Sequence, residues 1–294
     1  RRYALMVNVL ISGILRGGMY VLIALGLALV YGVMKIPNFA HGEYYLFGAY
    51  AAYFALTAFG LPPFLAIIFA AIVGFVLGAI IERLTFAPLR KRNTGDWVTN
   101  AFMIGAGIQL IIQNGAQYIF SANYFGVEKL WSGNVKIGGF NVSYDRLVAF
   151  AIAMVTLAVF WLFLKKTKTG ISILAVADDE IGAMLMGVDI KKIHTLTYAL
   201  SCMLAALAGG ALISITPAYP TMGTAPNLAA WFTVILVGVG NISAVIVGGF
   251  MVGLIEVAST YFVGAAWQNV ISLSVIILIL LFKPNGLFGR KQKV

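Results

Sequence analysis

Few residues in this chain of 294 amino acids carry groups that could do chemistry, and three of them lie close together. Asn38, His41 and Glu43 stand beside Pro37 and Gly42 in a polar interruption between long apolar runs. Ionisable groups within a membrane are costly and usually face a cavity or a partner, so one hypothesis places these residues on a polar path. The alternative is an interfacial loop that caps two helices, which we favour for Asn38 because asparagine is a common capping residue.

Amide side chains form a second candidate group. Gln109, Gln113 and Gln117 recur every four residues and therefore share one face of a helix. They either line a polar path or join neighbouring helices by hydrogen bonds. The candidate translocation pathway predicted from these two groups comprises Asn38, His41, Glu43, Gln109 and Gln113.

Glu256 interrupts the apolar run Ser243–Val263, and no intramembrane partner for it is obvious in the sequence. It is either a proton relay or a packed, neutral side chain, and we favour the second interpretation.

Sequence signatures of catalysis are missing from the chain. His41-Gly42-Glu43 is not H-E-x-x-H, so a zinc hydrolase is poorly supported, and no phosphate-binding loop, nucleophile elbow or CxxC pair is present. The single Cys202 lies in an apolar run and cannot form a cysteine metal site. We therefore expect no catalytic residue, no metal and no cofactor bound by this chain, and any ATP-derived energy must come from another protein.

The segment Lys165–Lys192 is polar and carries charges of both signs in an otherwise apolar chain. Asp178 can cap a short helix whose first turn holds Asp179 and Glu180, where the helix dipole favours negative charge. The spacing of Ala177, Ile181, Met184 and Leu185 predicts one apolar face, Gly187 can end the helix, and Asp189 can cap the next one. A short capped helix held at a membrane surface by lysines is typical of a docking element.

Composition indicates the class of protein. Only 10% of the residues are charged, and the mean hydropathy is +0.96. Long, continuous apolar runs predict an all-α polytopic membrane protein and exclude a barrel, whose strands would alternate. The net charge of +10 fits basic loops on the cytoplasmic side and requires no nucleic acid. We expect one transmembrane domain over residues 1–294, with a cytoplasmic segment at 165–192.

The apolar runs predict roughly eight to ten helices. The first, Tyr3–Val33, is too long for one perpendicular span, so it either breaks at Arg16-Gly17-Gly18 or tilts. Arg83–Asp96 and the tail Lys283–Val294 are basic and are predicted to be cytoplasmic. The other predicted spans are Tyr44–Phe59, Leu61–Ile81, Trp97–Phe120, Arg146–Leu164, Ile193–Thr216, Asn227–Val239, Ser243–Val263 and Trp267–Phe282.

Two interruptions of the apolar pattern are alike. Tyr31–Glu43 and Thr216–Asn227 are both broken by Pro and Gly and precede long apolar runs. Transporters often consist of paired repeats with broken helices near the substrate path, so this weak echo is consistent with a transporter.

Several motifs resemble those of the membrane permeases of ABC importers for branched-chain amino acids, and the similarity covers nearly the whole chain. Tyr31–Tyr50 contains the N-F-A-H-G core of that family's hallmark segment, and Ala177–Asp189 is similar to its cytoplasmic contact motif. Val237–Gly249 and the closing Phe282–Gly289 complete the set in the family's order.

The resemblance implies a fold like that of type II ABC importer permeases, in a multi-pass protein of a prokaryotic cell membrane, surrounded by lipid. Two homologous permease subunits, often different proteins, would form the pathway for leucine, isoleucine and valine. Two cytoplasmic ATPases would bind ATP and magnesium, and an extracytoplasmic binding protein would deliver the substrate. The implied coupling helix, which docks on the ATPase, comprises Asp178, Asp179, Glu180, Ile181, Met184, Leu185 and Gly187.

Other functions stay open at the level of sequence. Similar permeases are associated with urea, short amides or other amino acids. A self-contained secondary transporter would use Glu43 or Glu256 as a proton site. A membrane-embedded enzyme would use His41 and Glu43, although a chain with two histidines and no metal cluster offers few catalytic side chains.

Overall fold

The computed structural model describes residues 2–91, 96–137 and 140–289. Arg92, which belongs to the predicted basic loop, and the tail beyond Gly289 lie outside the described residues. Within these ranges the chain is a bundle of helices with one small hairpin. The helices and strands are α1 (Arg2–Met34), α2 (His41–Thr57), α3 (Pro63–Ile81), a π turn (Glu82–Phe86), α4 (Ala87–Lys91), α5 (Trp97–Phe120), β1 (Asn134–Ile137), β2 (Phe140–Ser143), α6 (Tyr144–Lys166), α7 (Lys168–Asp178), α8 (Glu180–Leu185), α9 (Ile190–Ala211), α10 (Thr224–Val237), α11 (Val245–Phe262), a 3-10 turn (Ala265–Trp267) and α12 (Gln268–Phe282).

The predicted all-α polytopic class is confirmed. Six helices among the described residues are long and apolar enough to cross a membrane: α1, α3 with its continuation to Lys91, α6, α9, α11, and the segment Ala265–Phe282. Helices α2, α5 and α10 are shorter or more polar and complete the bundle. The strands β1 and β2 pair antiparallel, with Asn134 opposite Ser143, inside the predicted loop between α5 and α6.

Helix α1 is continuous over 33 residues, so of the two alternatives the break at Arg16-Gly17-Gly18 is excluded. At about 1.5 Å per residue the helix is roughly 50 Å long, which exceeds the hydrocarbon thickness. Its glycines serve packing instead of bending, because a Cβ on Gly17 would lie 2.8 Å from the backbone of Phe250 in α11. The middle of α1, from Val21 to Val30, is buried and forms the centre of the hydrophobic core.

The segment after α3 also differs from its prediction as a loop. The helix continues through the π turn Glu82–Phe86 and through α4 to Lys91, so the first half of Arg83–Asp96 is helical. Pro88, the second residue of α4, comes directly after the π turn, where Ala87 N–H donates to the carbonyl of Glu82 and the regular i→i−4 pairing that proline cannot make is already interrupted. The π turn directs the carboxylate of Glu82 into the protein, where that side chain is fully buried.

Helices α2, α3 and α9 pack backbone to backbone. A Cβ on Gly48 of α2 would collide with the backbone of Ala206 in α9, and a Cβ on Gly209 would collide with the carbonyl of Tyr45. A Cβ on Gly78 of α3 would lie 2.7 Å from the Cβ of Cys202 and 3.1 Å from the Cα of Ala199, both in α9. Without a hydrophobic driving force between helices in lipid, such close approach provides the dispersion contacts that hold the three helices together.

We predict that Gly48→Ala destabilises the protein by about 3 kcal/mol, because one extra methyl forces α2 away from α9. The measurement is the midpoint of thermal unfolding of the detergent-solubilised protein. Gly107→Ala in α5 is the matched control, because a Cβ there meets nothing within 4 Å. Equal midpoints for the two variants would contradict the packing argument.

Candidate functional site

The predicted docking segment folds as two short helices instead of one. Thr167 accepts a hydrogen bond from the backbone N–H of Gly170 (3.0 Å) and so caps α7, which then runs to Asp178. The prediction of Asp178 as a helix cap is therefore wrong, and Ala177 belongs to α7 as well. Asp179 occupies the cap position of α8 in an extended conformation, without a side-chain hydrogen bond to the helix.

The end of α8 follows the prediction. Gly187 has a φ of 86°, and the backbone N–H groups of Gly187 and Val188 donate to the carbonyls of Met184 and Ala183, which is a Schellman motif. Asp189 caps α9 by accepting from the N–H of Lys192 (3.2 Å). This backbone N–H and the ammonium of Lys192, 3.1 Å from the carboxylate, hold the pKa of Asp189 below its ordinary value. The end of α8 and the start of α9 are thus defined by local chemistry.

The apolar residues of α8 point away from the protein. Ile181 is 68% exposed, Met184 56% and Leu185 79%, and the sequence prediction missed Met186, which is still more exposed. Ala183 alone in this helix is buried. A cluster of large apolar side chains on one short helix marks an interaction surface. We call Ile181, Met184, Leu185 and Met186 the α8 patch.

A polar network connects α8 to the bundle. Glu180 of α8 lies 3.9 Å from the Nε2 atom of His194 in α9, and His194 contacts Arg90 through Nδ1. Arg90 also pairs with the buried carboxylate of Glu82, which accepts a second hydrogen bond from the hydroxyl of Thr195 (2.6 Å). Sequence reasoning missed this network because Glu82 and Arg90 come from a predicted loop boundary, far from His194 along the chain.

The interruption between α1 and α2 is buried, not interfacial. Asn38 and His41 are fully buried, and Glu43 is nearly so. Ala40 occupies the cap position of α2 and no side chain caps that helix, so the favoured prediction of Asn38 as a cap is wrong. His41 Nε2 lies 2.9 Å from the carbonyl of Ile23 in α1, and its Nδ1 lies 3.4 Å from the hydroxyl of Ser201 in α9.

The structure brings Glu43 and one of the predicted glutamines together. The Nε2 atom of Gln113 in α5 donates to Glu43 Oε1 (2.8 Å) and lies 3.4 Å from the hydroxyl of Thr224, the first residue of α10. The other carboxylate oxygen of Glu43 is buried without a hydrogen-bond partner among the described residues. Gln109 is half-buried one turn earlier on α5, whereas Gln117 is exposed.

The two similar interruptions of the sequence meet in the fold. The side-chain amide of Asn227 in α10 donates to the backbone carbonyl of Phe39 (2.9 Å). Gly42 and Gly223 approach so closely that a Cβ on either would collide with the backbone of the other. The rings of Phe39 and Trp231 stack 5.1 Å apart. We call the group formed by Phe39, Glu43, Gln113, Thr224 and Asn227 the junction.

Glu256 has partners that the sequence did not reveal. The hydroxyl of Tyr20 donates to Glu256 Oε2 (2.6 Å), as does the amide of Gln268 (2.8 Å), and Arg16 lies 3.8 Å away. These partners come from α1 and α12, which flank α11. The expectation that Glu256 lacks an intramembrane partner is therefore wrong, while its packed position is observed, with 2% of the side chain exposed.

Within the part of the chain that the structure describes, no three His, Cys, Asp or Glu side chains are grouped so that they could hold a metal ion. The buried carboxylates of Glu43, Glu82 and Glu256 instead pair with polar side chains of other helices. In hydrocarbon such pairing holds helices together and lines paths for polar solutes.

The apolar helices, the buried junction of two broken segments and the exposed α8 patch together define a polytopic membrane permease. The chain belongs to the family described as the permease component of branched-chain amino acid transport systems, whose model matches residues 9–280. It is a multi-pass protein of the cell membrane.

Named relatives cover the chain almost completely. It is 29% identical to the high-affinity branched-chain amino acid transport system permease protein BraD of Pseudomonas aeruginosa, over 96% of this chain and 95% of that protein. The permease protein LivH of the corresponding Escherichia coli K12 system is 26% identical, over 96% and 94%. A probable branched-chain amino acid transport permease protein LivH of Methanocaldococcus jannaschii is 30% identical, over 97% and 93%. No solved structure matches the chain.

Asn227→Ala should loosen the junction, because the buried carbonyl of Phe39 loses its donor at a cost of about 1–3 kcal/mol. We expect amide hydrogen exchange in residues 35–42 to accelerate by roughly tenfold. Asn114→Ala is the control, because the Asn114 amide is exposed and bonds only to Leu110 of its own helix. Unchanged exchange in Asn227→Ala would show that the hydrogen bond does not hold the two segments together.

Proposed function

We propose that this chain is one of two permease subunits of an ATP-driven importer for the branched-chain amino acids leucine, isoleucine and valine. In this proposal the α8 patch docks on a cytoplasmic ATPase subunit, and the junction lies on the translocation pathway. A separate extracytoplasmic protein binds the substrate first. ATP and magnesium belong to the ATPase subunits.

The observation that carries the docking proposal is the exposure of Ile181, Met184 and Leu185 on a helix with defined ends. Exposed lysines precede α7 and follow α8, so the segment lies at the membrane surface and not in hydrocarbon. Removing apolar surface from water is favourable by about 25 cal/mol per Å². The exposed side chains of α8 gain this free energy when a protein partner covers them with an apolar groove.

Movement of α8 has a route into the bundle. The contact between Glu180 and His194 joins α8 to the first turns of α9, and Arg90 and Glu82 continue it to the π turn after α3. Glu82 and His194 are buried and Arg90 is half-buried, so α9 and the end of α3 move together more readily than their pairs break, whereas Glu180 is exposed and lies 3.9 Å from His194, beyond hydrogen-bond distance. This network would convert docking into a rearrangement of the helices that flank the junction.

The junction has properties that suit an amino acid pathway. It joins two broken segments, which in transporters lie near the substrate, and it holds two polar atoms without partners among the described residues, Glu43 Oε2 and Asn227 Oδ1. Beside it, Trp231 Nε1 also lacks a partner among these residues. Such atoms can exchange hydrogen bonds with the ammonium and carboxylate of a passing amino acid. The stacked rings of Phe39 and Trp231 offer an apolar surface for a branched side chain.

Reconstitution in liposomes tests the proposed function as a whole. The chain, its partner permease and the ATPase subunits should import leucine only with the binding protein outside and ATP and magnesium inside. Omitting the ATPase subunits, or replacing ATP by a non-hydrolysable analogue, should abolish uptake. Uptake that follows a proton gradient without nucleotide would instead identify a secondary transporter and overturn the proposal. Urea, a short amide and a polar amino acid serve as competing substrates.

The double variant Met184→Asp with Leu185→Asp should remove the ATPase subunits from the purified complex or uncouple hydrolysis from uptake, because two charges replace the centre of the α8 patch. Co-purification and the ratio of ATP hydrolysed to leucine imported are the measurements.

The matched control is Ile137→Asp, which places a charge on an exposed apolar position of the β1–β2 hairpin, far from α8 in the sequence. This variant should retain the ATPase subunits. Unchanged ATPase association and unchanged coupling in the double variant would exclude the docking role.

A further inference from the structure

A cleft of about 430 Å³ lies between α3 and α9, on the outside of the bundle. Helix α3 contributes Phe75 and Ala79, and the π turn that continues it contributes Arg83; the three residues form one stripe along this wall of the cleft. The stripe passes from an aromatic ring through a small residue to a cation. Its polar end lies where α3 passes into the π turn Glu82–Phe86.

Helix α9 forms the opposite wall in the reverse direction. It starts at the basic end of the cleft with Lys191 and Lys192 and continues with Leu196 and Ala199. Three cations therefore meet where α3 ends and α9 begins, and the rest of the cleft is apolar apart from Thr195. Gly78, next to Ala79 in the chain, brings the two walls together, because a Cβ there would lie 3.1 Å from the Cα of Ala199.

The walls of the cleft lie on a face of the protein that is exposed to lipid. Ile72, Val76 and Ile80, which flank the stripe on α3, are exposed, and α3 has the highest hydropathy of the candidate spans. An exposed apolar surface on such a helix faces hydrocarbon, where acyl chains cover it. The apolar part of the cleft thus lies at the depth of lipid tails, and its cations lie at the depth of headgroups.

The charge at the headgroup end is not neutralised by the protein. Arg83 and Lys191 are exposed and form no ion pair with another described residue, while Lys192 is paired with Asp189. The nearest buried acid is Glu82, which Thr195 contacts behind the cleft, and its charge is balanced by Arg90. An anion with three or four oxygen atoms is the group that two free cations at this position would recognise.

We propose that this cleft binds one anionic phospholipid, with an acyl chain between Phe75 and Leu196 and the phosphate between Arg83 and Lys191. Basic pockets between membrane-spanning helices suit such headgroups, and each cation near an anionic lipid adds to the affinity. An acidic surface of a partner protein is the alternative ligand of the cations. The lipid is favoured because a soluble partner would not contact apolar walls that lie at the depth of the membrane.

The test is native mass spectrometry of the purified permease complex, supplied with phosphatidylglycerol or phosphatidylcholine of identical acyl chains. Wild-type protein should retain one phosphatidylglycerol in preference to phosphatidylcholine. The double variant Arg83→Gln with Lys191→Gln should retain phosphatidylglycerol on the order of tenfold less. The control, Lys166→Gln with Lys168→Gln, removes the same charge from two other exposed lysines and should bind like wild type.

A second variant separates the apolar part of the site from its charges. Ala79→Phe fills the cleft but leaves Arg83 and Lys191 in place, so it too should lose the lipid, while retention of the ATPase subunits reports an intact fold. Equal retention of the two lipids by wild type, or equal phosphatidylglycerol retention by the two double variants, would overturn the proposal. Loss of the ATPase subunits from Arg83→Gln with Lys191→Gln, at unchanged lipid retention, would assign the cations to a protein interface instead.

Discussion

The lack of hydrogen-bonding solvent in hydrocarbon is the constraint on which this structure depends. Each polar side chain carried into the bundle needs a partner on another helix, because an unpaired group there costs several kcal/mol. Glu256 accepts hydrogen bonds from Tyr20 and Gln268, and Glu43 accepts one from Gln113. Glu82 pairs with Arg90 and accepts a hydrogen bond from Thr195. These pairs hold α1, α3, α9 and α11 with their neighbours at specified positions, which apolar packing alone would leave free to slide.

Small residues make those pairs possible. Gly17, Gly48 and Gly209 let helix backbones touch, and only at such separations can short side chains such as Ser201 and Thr224 reach across. On the outer surface, small residues that are flanked by longer side chains leave grooves between the helices. The cleft between α3 and α9 is lined by Ala79 and Ala199, next to the close approach of Gly78 to Ala199. Helix packing therefore shapes both the interior polar sites and the surface that meets lipid.

Local patterns predicted a large part of the fold. Trp97–Phe120 was predicted with the bounds it has, and Gly187 and Asp189 end and begin helices as their chemistry indicated. Predictions were wrong where the same local sequence pattern was compatible with two structures. Asp178 could start a helix or end one, and Thr167, an earlier cap in the chain, decided the outcome. Asn38 could cap α2 or be buried, and the packing of the whole segment against α5 and α10 decided that.

The sequence by itself determined the class of this protein, since long apolar runs in water-free surroundings have no stable form except helices that satisfy their own backbones. It also determined which short helix carries exposed apolar residues, because capping and periodicity are local. Only the tertiary structure decided the partners of Glu256, the network from Glu180 to Glu82 and the meeting of Phe39 with Asn227. The hydrogen bonds among these contacts join residues that are between 8 and 236 positions apart in the chain. Their formation depends on how helices cross, and crossing is set by the combined packing of many side chains, which no single stretch of sequence encodes.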